Sequence, residues 1–459
     1  MGSKSSPSLP RWVKRPDDPH PPAGWTETPL AAVADIRFSN VDKKSYASER
    51  PVRLCNYTDV YNKEYVHGHE DFMNATASET EIVRFSIRAG DVIITKDSET
   101  PDDIGVPAVV LAAPKDLVCG YHLALIRPRS DQISSVFLAK QIADTRISQY
   151  YARLANGLTR YGLTNAVVEF TPIWLPTPEE QHEVAAVLRG IDEAILKTEK
   201  LIAKLKSIKQ GLLHDLLTRG LDDNGELRNP EDHPEQFKET PQGRIPAAWE
   251  TLTISDLAVY VGSGITPTGG STVYKREGVL FIRSQNVTFE GLLLDDIAYI
   301  DERTHQMMAR SEVFAHDVLL NITGASIGRC CTVPEGLGPA NVNQHVCIIR
   351  TARPRREDAI LLAAVLASFI GQRQIDRLNA GSNRQGLNYQ QLRSFLVPWP
   401  KHEAERTALA ARIESADSRI RAEEAYLSKL RAIKRGLMQD LLTGRVRVPA
   451  DKVLASATG

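Results

Sequence analysis

Little in these 459 residues points to catalysis. No GxxxxGK[ST] stretch supplies the glycine loop and lysine that cradle a nucleotide's phosphates. No GxGxxG follows a strand-like run, and no Asn-Pro-Pro or Asp-Pro-Pro motif of an amino-methyltransferase occurs, so the usual loops for dinucleotides and S-adenosylmethionine are missing. Five cysteines, Cys55, Cys119, Cys330, Cys331 and Cys347, make no CxxC pair and are odd in number. Buried reduced thiols are expected rather than a zinc site or a disulfide frame. HExxH spacing is absent, and "HGHE", His67 to Glu70, lies among polar residues that read as a solvated turn rather than a metal site.

Excess charge is lacking as well. With 56 Lys and Arg against 57 Asp and Glu, the formal net charge is -1, whereas a protein that grips nucleic acid alone by neutralising phosphates is basic. The longest apolar run, Ala359 to Ile370, is far short of the roughly 20 residues a bilayer crossing needs, and reads as a buried helix. No positive region followed by an apolar one opens the chain, so no secretory signal is expected and the cytoplasm is the default. A composition of 42% hydrophobic and 25% charged residues is that of a soluble globular protein, and the length predicts two or three domains.

What is there is a repeat. "IKQGLLHDLLTRG", Ile208 to Gly220, returns as "IKRGLMQDLLTGR", Ile433 to Arg445, with eight identities among the eleven positions from Ile208 to Thr218 at an offset of 225. Outward from it, Trp25 matches Trp249, "DVIIT" from Asp91 matches "DVLLN" from Asp317, and "HLALIR" from His122 matches "HVCIIR" from His345. "GLTRYGL" from Gly157 likewise matches "GSNRQGL" from Gly381. The alternating apolar runs predict half-buried strands.

Each half then passes through a Pro-bounded strand, "TPIWLPTP" or "FLVPWP", into a long region free of proline. Apolar residues in the first region fall at Val184, Leu188, Ile191, Ile195, Ile202, Leu205, Ile208, Leu212 and Leu216, and in the second at the positions 225 later. Spacings of three and four make a helix with one narrow apolar seam, about 40 residues and so about 60 Å long. Such a seam wants a single partner helix, and the other copy is the obvious one. Both seams carry a polar step, Thr198 and Glu423, where antiparallel packing would fix the register.

These features predict a Pro-rich solvated tail (1–20), a first mixed domain (21–178), a long helix (179–218) and an Asp-, Asn-, Gly- and Pro-rich linker with little chance of forming a core (219–245). A second mixed domain (246–400), a second long helix (401–443) and a C-terminal tail (444–459) follow. The expected fold class is α+β: two pseudo-symmetric mixed α/β domains separated by a pair of long antiparallel coiled-coil helices.

The helices agree while the loops differ. "IRSQNVTFEG" puts Arg283, Ser284, Gln285 and Asn286 after a strand-like "GVLF"; arginine pairs bidentately with guanine, and glutamine or asparagine with adenine. "NITGASIGR", beginning at Asn321, is a similar polar loop. The matching places in the first half hold Asn56 and Tyr57, in "CNYTDVYNKEY", and Lys96, in "TKDSETPDD". For any one of these residues taken singly, a capped turn is the favoured reading. Arg160 and Arg384, in the repeated GxxRxGL loops, either touch phosphates or brace each domain against its helix. The acidic pairs Asp102 with Asp103 and Asp295 with Asp296 read as turn residues.

Together these residues resemble the specificity subunits of type I restriction-modification enzymes. The resemblance rests on the Trp-containing domain start, "GSGITPTGG" followed by "FIRSQNV", "VLLNITGASIG", "GSNRQGLNYQQLRSFLVPWP" leading into a long helix, and "IKRGLMQDLLTGRVRV" at its end. It runs from about Trp25 to Val448. The usual Pro-Leu-Pro-Pro run before the helix is here "WLPTPEEQ" and "VPWPKHEAE", and Glu405 and Arg406 replace the Gln after the second.

The resemblance implies a non-catalytic subunit with two target recognition domains, each reading one half of a bipartite, asymmetric site in double-stranded DNA, and helices that set the spacer. It implies two methyltransferase (modification) subunits docked around the helices, methylating a flipped adenine at N6 with S-adenosylmethionine. Two restriction (motor-nuclease) subunits would use ATP and Mg. None of these cofactors would be bound by this chain, and no membrane is involved. Two other readings differ in what they require. A coiled-coil adaptor that reads no DNA has no need of divergent polar loops, and a fused enzyme with an unrecognised motif would be active as the isolated chain.

Overall fold

The computed structural model describes residues 9–15, 17–267, 274–379 and 386–448. The chain divides into two units, Met1–Lys197 with Leu427–Gly459, and Thr198–Tyr426. The helix Pro178–Arg219, of 42 residues, begins in the first unit and ends in the second, and the helix Glu403–Leu441, of 39 residues, does the reverse.

The two units share a strand order, to which the first adds one edge strand, Tyr65–Val66. In the first, Arg50–Cys55 lies between antiparallel Met73–Ala77 and parallel Leu117–Cys119; in the second, Val279–Ile282 lies between antiparallel Ala298–Ile300 and parallel Ala340–Val342. A second sheet runs in the order Ala34–Phe38, Leu123–Pro128, Val92–Thr95, Pro107–Val110, Tyr65–Val66 in the first unit. Its counterpart runs Ala258–Ser263, Val346–Thr351, Val318–Asn321, Cys330–Thr332. The tryptophan-led strand of each unit, Thr26–Pro29 or Trp249–Thr253, pairs with the Pro-bounded strand that feeds a long helix.

An ion pair is repeated inside these frames. Arg127 clasps Asp91 with two bonds of 2.7 Å, and Arg350 clasps Asp317 at 2.8 and 2.7 Å. Both carboxylates are buried and also accept a backbone N–H from three residues earlier, Arg88 or Phe314. Each arginine gives a further N–H to a carbonyl, that of Ser86 or Glu312. Desolvating an ion pair costs several kcal/mol per charge, and this full hydrogen bonding is what offsets it.

Within each unit the helix segments run antiparallel. Asp192 meets Lys434 at 2.7 Å in the first unit, and Asp417 meets Lys209 in the second; acid and base are each 225 residues apart in sequence from their counterparts. Most of the expected seam is buried, including Val184, Leu188, Ile202, Leu216, Leu409, Ile413, Ile420, Leu427, Leu430 and Leu441. Ile208 and Ile433 are not; they are 54% and 51% exposed. A helix turns about 100° per residue, so each isoleucine and the lysine after it cannot both face inward. The lysine does, drawn by the carboxylate.

In the first unit this pair grows into a cluster. Lys140 also reaches Asp192, Glu64 contacts both lysines, and Tyr65 donates its hydroxyl to Asp192 at 2.7 Å. Burial opposes the charge on Asp192, but Lys140 and Lys434 outweigh it and hold its pKa below the ordinary carboxylate range. In the second unit, four residues before the cap Ser368 as Lys140 is four before the cap Asp144, stands Ala364. A cavity of about 580 Å³ opens there, beside Lys209 and Asp417.

Segments expected to be solvated add to the cores. Val13 is fully buried in the first, with Trp12 edge-on to Phe170 at 5.8 Å and the Val13 carbonyl accepting from Arg153 at 2.6 Å. In the supposed linker, Leu221 and Ile245 are buried in the second core, and Phe237–Thr240 pairs with Gly243–Pro246. Single apolar residues in polar surroundings have no periodicity to announce them. The apolar run from Ala359 is two helices, Arg356–Ala367 and Phe369–Asn379, bent by 51°, and no single described helix is long and apolar enough to cross a membrane. All five cysteines are buried and free, and burial raises each thiol's pKa.

Because Asp192 titrates below its unfolded value of about 3.9, its cluster stabilises the first unit above that pH and stops doing so as pH falls through the lowered folded value. Asp192→Ala should therefore cost on the order of 3 kcal/mol at neutral pH, with the gap to wild type closing below about pH 4. Urea unfolding at both pH values measures this, and an equal gap at both would contradict it.

Candidate nucleic-acid interface

Three segments meet at one edge of each unit because the strands that lead to them end together. Arg50–Cys55 and its parallel partner deliver Asn56 and Gly120 to His122, while Val92–Thr95 delivers Lys96. The corresponding strands of the second unit deliver Arg283, Asn343 to His345, and Ile322. Matching backbone bonds lace both edges. Gly120 donates to the Cys55 carbonyl at 2.9 Å, as Asn343 does to Ile282 at 3.1 Å. Lys96 donates to His122 at 3.0 Å, as Ile322 does to His345 at 2.9 Å. Leu163 donates to Lys96 at 2.9 Å, as Leu387 does to Ile322 at 2.8 Å, so the ends of the GxxRxGL loops are drawn to the same edge.

In the first unit Asn56 caps the short helix Tyr57–Tyr61, its backbone N–H donating to Asp59 at 2.8 Å. Tyr57 stacks on Tyr61 with centroids 5.1 Å apart, and Tyr61 donates to Asp103 at 2.5 Å. Burial and the Asp103 charge raise the pKa of the Tyr57 hydroxyl, which keeps it a neutral hydrogen-bonding group. Lys96 and His122 both engage Asp97, at 3.1 and 2.8 Å, and the exposed Arg160 lies 3.5 Å from the other ring nitrogen of His122. Asn56, Tyr57, Lys96 and Arg160 thus share one edge.

In the second unit Asp296 holds two of the expected residues. Arg283 donates to its carbonyl at 2.7 Å and Gln285 to its carboxylate at 2.6 Å, while the Arg283 guanidinium lies 5.7 Å from the Tyr274 ring centre. Asn286 and Asn321, expected on the loop surface, are instead buried. Asn286 donates to the carbonyls of Leu293 and Asp296 and accepts the Arg283 N–H; Asn321 donates to the Ser284 carbonyl at 2.8 Å. They support the turn from beneath, their amide N–H groups taking loop carbonyls as the partners that buried donors need. Arg384 lies outside the described residues.

Some participants were not anticipated. Asp103 and Asp296, read from sequence as turn residues, orient Tyr61, Arg283 and Gln285. Asp97, His122 and His345 were also missed, although a histidine heads both "HLALIR" and "HVCIIR". The HGHE segment is a turn closed by Glu70, which accepts from the N–H groups of His67 and Gly68. Among the described residues no group of three His, Cys, Asp or Glu could hold a metal. A GxSxG spacing does occur, Gly324 to Gly328, but it makes a turn that returns as the strand Cys330–Thr332, without the helix of a nucleophile elbow. What each edge can do chemically is donate to and accept from phosphates and base edges, through guanidinium, ammonium, amide and imidazole groups.

No protein-family model matches the chain. Among curated proteins it is 23% identical over 372 residues, 80% of this chain and 81% of the relative, to the putative type I restriction enzyme MjaX specificity subunit of Methanocaldococcus jannaschii. It is 24% identical over 285 residues, 61% of this chain and 64% of the relative, to the type I restriction enzyme MjaVIII specificity subunit of the same organism. Among solved structures, the S subunit of a type I restriction-modification system from M. genitalium matches 91% of this chain and 96% of its own, with a TM-score of 0.55 and 15% identity, a likeness of fold. Sequence relatives and fold agree, and the chain is a homologue of the type I restriction enzyme specificity subunits.

Proposed function

We propose that this chain is the DNA-reading, non-catalytic subunit of a type I restriction-modification complex, each unit reading one half of a bipartite, asymmetric site in double-stranded DNA. One observation carries this: an edge laced by the same backbone bonds in both units bears different side chains. Asn56, Tyr57, Lys96 and Arg160 serve the first half-site, and Arg283 and Gln285 the second, joined by Arg384 through its place in the repeat. Ser284, Asn286 and Asn321 hold the second turn in shape. One frame with two sets of readers suits a split site whose halves differ, and an adaptor that ignored DNA would have no use for the difference. In this proposal the helices set the spacer, and S-adenosylmethionine, ATP and Mg serve the partner subunits.

The repeated helix ending supports the partner side of the proposal. Ile208 and Ile433 are exposed, and Gly211 and Gly436, three residues on, have open space where a side chain would stand. Glycine inside a helix costs about 1 kcal/mol relative to alanine, and nothing within either unit crowds these two. A surface kept apolar and small at both copies fits the close approach of two copies of one protein, the modification subunit.

Three outcomes follow. Mapping N6-methyladenine across the source genome with and without the gene should show one split, asymmetric motif lost; an unchanged methylome with all subunits expressed would contradict DNA reading. Arg283→Ala with Gln285→Ala should weaken base discrimination in the second half-site by about 1–3 kcal/mol per contact and leave the first intact, as read by competition binding with singly altered duplexes. Ile208→Asp with Ile433→Asp should weaken assembly with the modification subunit by tenfold or more, about 1.4 kcal/mol, at unchanged thermal stability. Sedimentation of the mixed subunits tests this, and full assembly by the variant would remove the docking assignment.

A further inference from the structure

The two histidines at the laced edges are held alike by different partners. His122 Nδ1 lies 2.8 Å from the Asp97 carboxylate, and His345 Nδ1 lies 2.6 Å from the Thr323 hydroxyl. Asp97 and Thr323 are equivalent, each second after a central strand and each paired with the glycine of a GxxRxGL loop, Gly162 or Gly386. The outer nitrogens are treated alike as well. Arg160 lies 3.5 Å from His122 Nε2, and the Gln344 amide nitrogen lies 3.0 Å from His345 Nε2.

These neighbours decide the tautomer. A carboxylate only accepts, so the proton of the neutral His122 ring sits on Nδ1 and Nε2 presents a lone pair to Arg160. The amide of Gln344 donates to His345 Nε2, which leaves that ring's proton on Nδ1, directed at Thr323. Each histidine is therefore an oriented acceptor, capped in the free protein by an exposed side chain that a ligand can displace.

We propose that His122 and His345 are specificity-determining residues, one for each half-site, whose Nε2 accepts a hydrogen bond from the exocyclic amino group of an adenine or cytosine. This rests on the DNA-reading function proposed above. Only those two bases offer a major-groove donor, and Arg160 and Gln344, once displaced, are free for a phosphate or a neighbouring base. The inference accounts for a feature the strand pattern does not require: a histidine precedes Leu123–Pro128 and Val346–Thr351 alike, while the loop residues before it, Gly120 and Tyr121 or Asn343 and Gln344, diverge.

The test uses the full chain assembled with its modification subunits and selects bound duplexes from a randomised pool. His122→Asn keeps a donor where Nδ1 stood and removes Nε2; His122→Gln places an amide oxygen near the Nε2 position. His122→Asn should lower the preference for A or C at one position of the first half-site about tenfold, His345→Asn should do the same in the second, and His122→Gln should retain most of the preference. The selected base tells adenine from cytosine. Sharp half-sites in both Asn variants would overturn the inference while leaving DNA reading intact, as would an equal loss of affinity for every sequence, the mark of a phosphate or packing role. A wild-type complex that selects no sequence would overturn both.

Discussion

In each unit a buried Asp–Arg clasp ties two neighbouring strands of the larger sheet together. Asp91 stands at the start of Val92–Thr95 and Arg127 near the end of Leu123–Pro128, so their ion pair fixes how these antiparallel strands align, with Val92 opposite Ile126 and Thr95 opposite Leu123. Asp317 and Arg350 do the same for Val318–Asn321 and Val346–Thr351. A slip of one residue would turn every side chain of these buried strands to the other face. It would also separate His122 from Asp97 and His345 from Thr323 at the other end. A charge pair in the core thus positions the polar edge, and an ion pair is directional where apolar packing is not.

The helices are tied into the units by a second repeated device. Near the start of the first helix, Glu180 accepts from Arg447 at 2.5 and 2.7 Å and from the Trp25 indole at 3.2 Å. Near the start of the second, Glu405 accepts from Arg228 at 2.6 Å and from the Leu221 N–H at 2.9 Å. Each helix start is therefore bound to the chain that follows the other helix. Gly220, directly after the first helix, and Gly444, three residues past the second, lie in the left-handed region, with φ of 63° and 65°, where a side chain would be strained. A Cβ on Gly220 would come within 2.8 Å of Trp249, and on Gly444 within 3.5 Å of Trp25. The linker and the described C-terminal residues, 444–448, play the same part, which is why neither behaves as solvated chain. Gln181, at 225 residues before Arg406, shows how a departure is absorbed: both side chains donate to a carbonyl five residues back, and Arg406 adds Asp358 at 2.7 Å.

Features with a period were the legible ones. The strands, the long helices and their shared ending stood out because burial on one face imposes a spacing of two or of three and four. Isolated contributions did not stand out: Val13, Leu221 and Ile245 complete cores from polar stretches, and Lys209 and Lys434 displaced the isoleucines beside them from the seam. At the candidate interface the polar residue types are plain in the sequence, but which of them face outward is not. Asn286 and Asn321 resemble Gln285 on paper and differ from it only in what surrounds them.

That the protein is built twice, from mixed α/β units joined through long amphipathic helices, is written in the chain, because repetition and hydrophobic periodicity are properties of its sequence. Which polar groups are spent on the frame and which remain for a ligand emerges on folding. That choice turns on where acceptors such as Asp97, Asp103 and Asp296 lie in space, brought in from other segments by strand register. Hydrogen bonding is short-ranged and directional, so distances of a few ångströms between residues remote in sequence settle it.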